Sequence, residues 1–293
     1  MTAEQNQHPI PQEAFDWYDE YAHGMIDRRT FLARLATLGL AATALAGLMP
    51  NYALAEQVSF NDPDILARYV TFPSPEGHGE GGGYLVAPRE VAGEIPVVLV
   101  VHENRGLNPY IKDVARRLAK AGYLALAPDA LFSLGGYPGN DDEGRTMQRG
   151  MDRAKIEQDF IAAARFLKSH EQSSGKLGAV GFCFGGYIVN MLAAVDPDVL
   201  DAGVPYYGTP ASSELWSGIR GPLLVQLASL DKRVNSSWPE YKDALDAMDV
   251  PYAMHMYDEA NHGFHNDSTS RYDAGAAELS WRRTLKFFAE SLG

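Results

Sequence analysis

Residues 177–186 read Leu-Gly-Ala-Val-Gly-Phe-Cys-Phe-Gly-Gly, a short apolar run followed by a turn that carries the one cysteine of the chain, Cys183. The apolar run predicts a buried strand, and the Gly-x-Cys-x-Gly pattern is typical of a nucleophile displayed on a sharp strand-to-helix turn. Such a turn strains the backbone at its apex, so small residues such as Gly181 and Gly185 must flank it. The alternative is a buried cysteine that only fills space beside a glycine-rich turn.

Two further residues follow the nucleophile in the order that a catalytic triad requires. Residues 222–228 and 252–257 predict two more strands, and each runs into a polar turn, the first containing Asp231 and the second His262. Open α/β sheets build their sites just past such strand ends. The order nucleophile, acid, histidine is that of the α/β-hydrolases. We therefore predict Cys183 as nucleophile, oriented and assisted by an Asp231–His262 pair.

The remainder of the body predicts one doubly wound, mostly parallel sheet with helices on both faces. Since the pattern contains no repeat or low-complexity linker, residues 56–293 are predicted to be a single α/β-hydrolase domain. Residues 132–152 predict a long glycine-rich loop that forms a lid or wall of the site, the alternative being a loose surface excursion. The predicted strands are 70–75, 83–88, 97–101, 123–127, 177–180 and 203–207, and the predicted helices are 109–121, 153–170 and 274–292.

Residues 1–55 have the features of an export leader. Paired arginines in residues 27–32 (Asp-Arg-Arg-Thr-Phe-Leu) precede a mildly apolar stretch over 35–48, and Ala53-Leu54-Ala55 forms a cleavage pattern. This predicts a twin-arginine signal cleaved after residue 55 and a periplasmic or otherwise exported enzyme. The apolar stretch is shorter than the roughly 20 residues of a membrane span. The alternative is an uncleaved amphipathic helix packed on the body of a cytoplasmic protein.

Charge and composition restrict the partners. The net charge of −13, which becomes −10 without residues 1–55, argues against nucleic acid and anionic membrane surfaces as partners. No cofactor motif is recognised. His262 and His265 have a metal-compatible spacing but lie in a turn without nearby Cys or carboxylate ligands, so no metal centre is predicted.

Three motifs resemble those of the dienelactone hydrolase family, the thiol branch of the α/β-hydrolases. They are His-Glu-Asn-Arg-Gly at 102–106, the elbow at 181–186, and Asn-His-Gly-Phe at 261–264. The resemblance extends from about residue 70 to the C-terminus and is strongest to exported members of unassigned substrate. It implies a hydrolase (a carboxylesterase in the broad sense) that cleaves a small-molecule carboxylic ester or lactone through a thioester intermediate, without a cofactor.

The resemblance also implies roles for further residues. The family counterpart of Glu103 holds the resting thiol in its neutral form and takes up its proton when substrate arrives. The oxyanion hole would consist of the backbone N–H groups of Asn104 and Phe184, which are worth several kcal/mol in acyl transfer.

One position departs from the family pattern. The family holds the carboxylate of its substrate with arginines, one of them four residues after the triad histidine, where this chain has Asn266. Arg145 and Arg149 are candidates for the missing clamp, and Tyr137 is a candidate aromatic of the pocket. A thioesterase or acyltransferase on the same triad, or a non-catalytic binding scaffold, is an alternative function. The sequence predicts no oligomeric state.

Overall fold

The body is built on one sheet in which eight strands take the order β1-β2-β4-β3-β5-β6-β7-β8. The computed structural model describes residues 10–23, 25–38, 51–195 and 198–293, with backbone only at 53 and 54. Strands β1, β2 and β4 pair antiparallel, and all other neighbours pair parallel. The strands are β1 (Ile65–Ser74), β2 (Gly79–Pro88), β3 (Ile95–Val101), β4 (Leu124–Pro128), β5 (Ser173–Phe182), β6 (Ala202–Tyr206), β7 (Leu223–Ala228) and β8 (Tyr252–Tyr257).

Helices cover both faces of the sheet because its central strands are apolar on both sides. In β3, Val97, Leu99 and Val101 face one layer of helices, whereas Val98 and Val100 face the other. The helices are α1 (Gln12–Ala22), α2 (Arg28–Thr37), α3 (Tyr52–Ala55), α4 (Pro109–Lys120), α5 (Asp141–Arg149), α6 (Arg153–Lys168), α7 (Phe184–Val195), α8 (Lys232–Asn235), α9 (Trp238–Ala247) and α10 (Ala274–Leu292). The first face packs on α6 and α7, and the second on α4 and α10.

The predicted strands and the three predicted helices are present in the body, with ends shifted by a few residues. The prediction of a long loop over 132–152 is wrong in part, because this segment contains a 3₁₀ turn at Phe132–Leu134 and helix α5. The side chain of Asn140 accepts hydrogen bonds from the backbone N–H groups of Asp142 and Glu143 and so caps the helix. Acidic residues in the first turn also favour a helix start.

Residues 10–38, with residue 24 outside the described set, fold into a helical hairpin, which we call the N-terminal hairpin. Helices α1 and α2 enclose a small apolar core of their own, made of Ala14, Phe15, Tyr18, Ala22, Phe31 and Leu35. Asp27, which stands where Ser or Thr is usual in a twin-arginine motif, is the N-cap of α2 and accepts from Thr30 N at 2.7 Å. Arg28 and Arg29 are exposed.

Residues just before the predicted cleavage position contact the body. The hydroxyl of Tyr52 donates to Asp141 at 2.7 Å, and Asn51 N donates to the backbone oxygen of Ser268 at 2.5 Å. Most of the predicted apolar stretch 35–48 lies outside the described residues. Among those described, no helix combines the length and apolarity needed to cross a bilayer. The domain boundary at residue 55 stays a prediction.

The packing of α10 on the sheet gives a stability prediction. Phe288 is fully buried between α10 and the sheet, whereas Phe60 is 70% exposed. We expect Phe288→Ala to lower the free energy of unfolding by about 3–5 kcal/mol, since it leaves a cavity. The matched change Phe60→Ala should alter it by less than about 0.5 kcal/mol. Urea unfolding followed by circular dichroism measures both, and equal effects would show that α10 is not part of the cooperative core.

Candidate active site

Cys183 lies at the apex of the turn between β5 and α7 and adopts the left-handed conformation, with φ of 57°. The turn is tight because backbone atoms approach one another too closely to leave room for a side chain at Gly181 or Gly185. A Cβ on Gly181 would lie 2.1 Å from the carbonyl oxygen of Gly185, and one on Gly185 would lie 2.2 Å from that of Val101. Cys183 N also donates to the carbonyl oxygen of Tyr206 on the neighbouring strand at 3.0 Å. The elbow is therefore clamped between β3 and β6, as the glycine pattern predicts.

The predicted acid and histidine lie next to each other and next to the cysteine. Asp231 follows β7 and begins the short helix α8, where its Oδ1 accepts from Val234 N. Its Oδ2 accepts a 2.5 Å hydrogen bond from His262 Nδ1, which follows β8. A ring nitrogen of His262 lies within 4.8 Å of Cys183 Sγ. The structure thus brings together all three residues of the predicted triad.

The charges around the thiol favour a thiolate. Burial alone would raise the pKa of Cys183, but His262 and a second histidine, His23, hold that pKa well below its usual range. Burial opposes the protonation of His262, yet Asp19, Asp231 and Cys183 together raise its pKa to about 10. Both pKa shifts favour the ionised forms, a thiolate at Cys183 beside an imidazolium at His262.

Glu103 is buried and has its own partners. Its Oε2 accepts from Asn266 Nδ2 at 2.9 Å and lies 3.7 Å from the guanidinium of Arg105. Among the described residues, no hydrogen bond joins Glu103 to Cys183. Asn266, predicted as a weak substrate contact, is itself fully buried and also accepts from Ser268. The predicted roles of Glu103 and Asn266 stay predictions.

A cavity of about 320 Å³ opens beside Cys183. Its wall includes Asn104 and Phe184, the two residues predicted to supply the oxyanion hole. Arg145 and Arg149 of α5 also line it, and their role as a substrate clamp stays a prediction. Arg145 is buried and pairs with Asp142 through one nitrogen, while its Nε and Nη2 make no hydrogen bond within the described structure. These two nitrogens are buried, and the guanidinium lies 4.8 Å from the ring centroid of Tyr21 on the N-terminal hairpin.

Tyr137, the candidate pocket aromatic, lies away from this wall. Its hydroxyl donates to Asp141 at 2.7 Å, and its backbone N–H donates to Asp129. Asp141 also pairs with Arg105 and accepts from Tyr52. Tyr137 thus belongs to a polar network that anchors the start of α5, and its contact with substrate stays a prediction.

The sequence analysis missed two site residues, both on the N-terminal hairpin. His23 Nε2 lies 3.2 Å from Cys183 Sγ, and its Nδ1 donates to the backbone oxygen of Asp19 at 2.8 Å. Asp19 Oδ1 lies 3.8 Å from His262 Nε2. The hairpin is also fastened by Asn104, whose Nδ2 donates to the carbonyl oxygen of Ala22 at 2.6 Å. No local pattern marks His23, because its partner is 160 residues away in the chain.

This fold and site define an α/β-hydrolase with a cysteine at the nucleophile elbow. A family model described as "Dienelactone hydrolase family" matches residues 82–292, and a second one described as "YqhI-like" matches residues 1–41. The chain belongs to the dienelactone hydrolase family and is a hydrolase.

Individual relatives agree with this assignment. The "Putative hydrolase fragment YghX" of Escherichia coli K12 is 69% identical over 105 residues, which are 36% of this chain and 90% of that protein. The "Putative carboxymethylenebutenolidase" of Synechocystis is 31% identical over 247 residues, which are 78% of this chain and 98% of that protein. The crystal structure of a "Putative Dienelactone Hydrolase" from Klebsiella pneumoniae is 27% identical, with a TM-score of 0.68, and covers 77% of this chain and 99% of its own. The predicted α/β-hydrolase fold is thereby confirmed.

The charge pair at the nucleophile gives a pH prediction. Because the pKa of Cys183 is lowered, its alkylation by iodoacetamide should change by less than about twofold between pH 6 and pH 8, where an ordinary thiol of pKa about 8.5 accelerates strongly. In His262→Gln the lost positive charge raises the thiol pKa, so alkylation at the lower pH should fall relative to the higher. His255→Gln, on the neighbouring strand β8, is the matched control. A wild-type profile that follows an ordinary thiol would contradict the charge pair.

Proposed function

We propose that this protein hydrolyses a small-molecule carboxylic ester or lactone through a Cys183–His262–Asp231 triad and a thioester intermediate. The observation that carries the proposal is a positive-φ cysteine beside a histidine that is itself hydrogen-bonded to a buried carboxylate. A nucleophile, a base and a group that orients the base are the parts that acyl transfer needs.

In the first half of the reaction, Sγ of Cys183 attacks the carbonyl carbon. The negative charge that develops on the carbonyl oxygen is stabilised by the backbone N–H groups of Asn104 and Phe184. Collapse of the tetrahedral intermediate breaks the bond to the alcohol oxygen, which takes its proton from the imidazolium of His262. The acyl group is then held as a thioester on Cys183.

In the second half, His262 is neutral and acts as the general base. It removes a proton from a water molecule that attacks the thioester, and the thiolate leaves as the acid is released. The hydrogen bond from Nδ1 to Asp231 fixes the tautomer in which Nε2 has the free lone pair. Glu103 has the supporting role that the family resemblance implies, which is uptake of the thiol proton when substrate arrives; its carboxylate is held by Asn266 and Arg105.

The cavity supports a small substrate with a polar or anionic group. Its volume of about 320 Å³ is at the lower end of ligand pockets. Nε and Nη2 of Arg145 are buried without a hydrogen bond among the described residues, which costs free energy. An acceptor on the substrate would supply the missing hydrogen bonds. Thioester hydrolysis and acyl transfer to another acceptor use the same tetrahedral intermediate and remain alternatives on this triad.

The proposal includes export by a twin-arginine signal and cleavage after residue 55. The sequence motif is supported by the exposure of Arg28 and Arg29 at the start of α2, where a receptor can reach them. The hairpin is folded on the body, which suits a route that carries folded proteins. The alternative, an uncleaved leader that stays on a cytoplasmic protein, is distinguished by the N-terminus and location of the mature chain.

The thiol mechanism predicts the behaviour of a serine variant. We expect Cys183→Ser to lose at least about 100-fold in kcat/KM for p-nitrophenyl acetate and for small lactones. The pKa of a hydroxyl is far above that of a thiol, so the same histidine ionises it much less. Thermal unfolding should be unchanged. Because Cys183 is the one cysteine of the chain, alkylated wild-type protein is a second, independent inactive form. Retained activity in either form would refute the thiol mechanism.

The export proposal predicts a twin-lysine defect. Changing both Arg28 and Arg29 to Lys should keep the protein in the cytoplasm, since the motif is recognised by its arginines and not by its charge alone. Arg34→Lys, on the same helix, should be exported normally. Cell fractionation and N-terminal sequencing measure both, and the exported protein should begin at Glu56. Export of the twin-lysine variant, or an exported chain that begins at Met1, would contradict the proposal.

A further inference from the structure

Three metal-binding atoms from distant parts of the chain converge at the nucleophile. They are a ring nitrogen of His23, Sγ of Cys183 and a ring nitrogen of His262, and they lie within 4.8 Å of one another. The pair His23 Nε2 and Cys183 Sγ is 3.2 Å apart. With bond lengths of about 2.0 Å to nitrogen and 2.3 Å to sulfur, the donors of a tetrahedral zinc site lie about 3.5 Å apart. Movements of about an ångström or less would therefore place an ion among them.

The outer nitrogens of both histidines are arranged as they are around metal sites. Metal-bound histidines almost always donate their other ring N–H to a carboxylate or a backbone carbonyl. His262 donates from Nδ1 to the carboxylate of Asp231, and His23 donates from Nδ1 to the backbone oxygen of Asp19. In both rings this leaves Nε2 as the atom that faces the sulfur. Nε2 of His262 is buried and has no hydrogen-bond partner in the described structure.

A carboxylate lies beside one of these donors, since Asp19 forms a second close group with His262 and Asp231. Asp19 Oδ1 lies 3.8 Å from His262 Nε2 and is also buried without a hydrogen bond among the described residues. It is the candidate fourth ligand, and a water molecule is the alternative. Two guanidinium groups lie nearby, with Arg233 Nη2 3.0 Å from His23 Nε2 and Arg271 Nη1 3.6 Å from Asp19 Oδ1. Arg233 is half-exposed and must turn outward when an ion binds.

We propose that His23, Cys183 and His262, with Asp19, form a binding site for Zn²⁺ that joins the N-terminal hairpin to the catalytic triad. Thiolate and imidazole ligands in a tetrahedral set select zinc over calcium or magnesium. The thiolate and the Asp19 carboxylate balance the charge of the ion. This goes beyond the hydrolase function, because the ion occupies the lone pairs of both nucleophile and base.

The site has a direct consequence for the enzyme. A bound ion blocks attack by Sγ and proton transfer by Nε2, and it fastens the hairpin over the nucleophile. A thiol held by a metal is also protected from alkylation and oxidation. Because His23 lies in the leader, cleavage after residue 55 removes two of the four ligands. The exported enzyme would then bind zinc weakly, whereas the full chain binds it tightly and stays inactive.

The test uses the full-length chain in reducing buffer with Co²⁺ as a spectroscopic substitute for Zn²⁺. We expect one equivalent of Co²⁺ to give tetrahedral visible bands and a thiolate-to-cobalt charge-transfer absorption, both removed by added Zn²⁺. Cys183→Ser should lose the charge-transfer absorption. His23→Gln should weaken Zn²⁺ binding at least about tenfold, the loss that even an outer-sphere partner gives. His255→Gln, remote from the site, should bind like the wild type.

Two outcomes would overturn the proposal. One is the absence of thiolate-to-cobalt absorption in the wild type at saturating Co²⁺. The other is equal Zn²⁺ affinity of His23→Gln and His255→Gln, which would show that the hairpin supplies no ligand. Protection of Cys183 from alkylation by Zn²⁺ is a second readout that remains valid if His23→Gln disturbs the hairpin. Neither readout requires turnover, so failure of the hydrolase proposal would be seen separately.

Discussion

The structure depends on the left-handed backbone of Cys183 and the close contacts that hold it. Gly181 and Gly185 touch across the turn, and Gly185 also rests on the carbonyl oxygen of Val101. The elbow can form only where β3, β5 and β6 lie in register. The geometry of the site therefore depends on the pairing of the central strands. Burial at this position disfavours the charged thiolate and so raises the pKa of Cys183. The positive charges of His262 and His23 lower that pKa again.

The N-terminal hairpin changes the surroundings of Cys183 and His262. Without it, Cys183 would face His262 alone and the cavity would open more widely to solvent. With it, Asp19 and His23 add one negative and one titratable group to a buried cluster that already contains a thiolate and a carboxylate. Asp19 is kept ionised by His262, His23 and Arg271, which lower its pKa despite its burial. Because the hairpin places these charged groups next to Cys183 and His262, its docking is coupled to the ionisation of both residues.

Much of the fold could be predicted from the sequence because its signals are local. The uninterrupted apolar run of β3, the amphipathic repeat of α4 and the glycines around Cys183 each follow from neighbours within a few residues. The segment 132–152 was harder, because its glycines suggest a loop while the capping of α5 by Asn140 depends on one side chain. Arg145 could be named as a candidate, but its burial and its unpaired nitrogens depend on packing.

The sequence by itself determined the class of fold and indicated that Cys183, Asp231 and His262 lie together, since strand ends in a parallel sheet must meet at one edge. Only the tertiary structure decided that Glu103 is held by Asn266 and Arg105, that His23 reaches Cys183 and that Asp19 lies beside His262. These contacts join residues separated by more than 150 positions, or depend on which side-chain rotamers the packing permits. Periodicity and spacing in a sequence reflect neighbours along the chain, and they do not reveal which distant side chains come into contact.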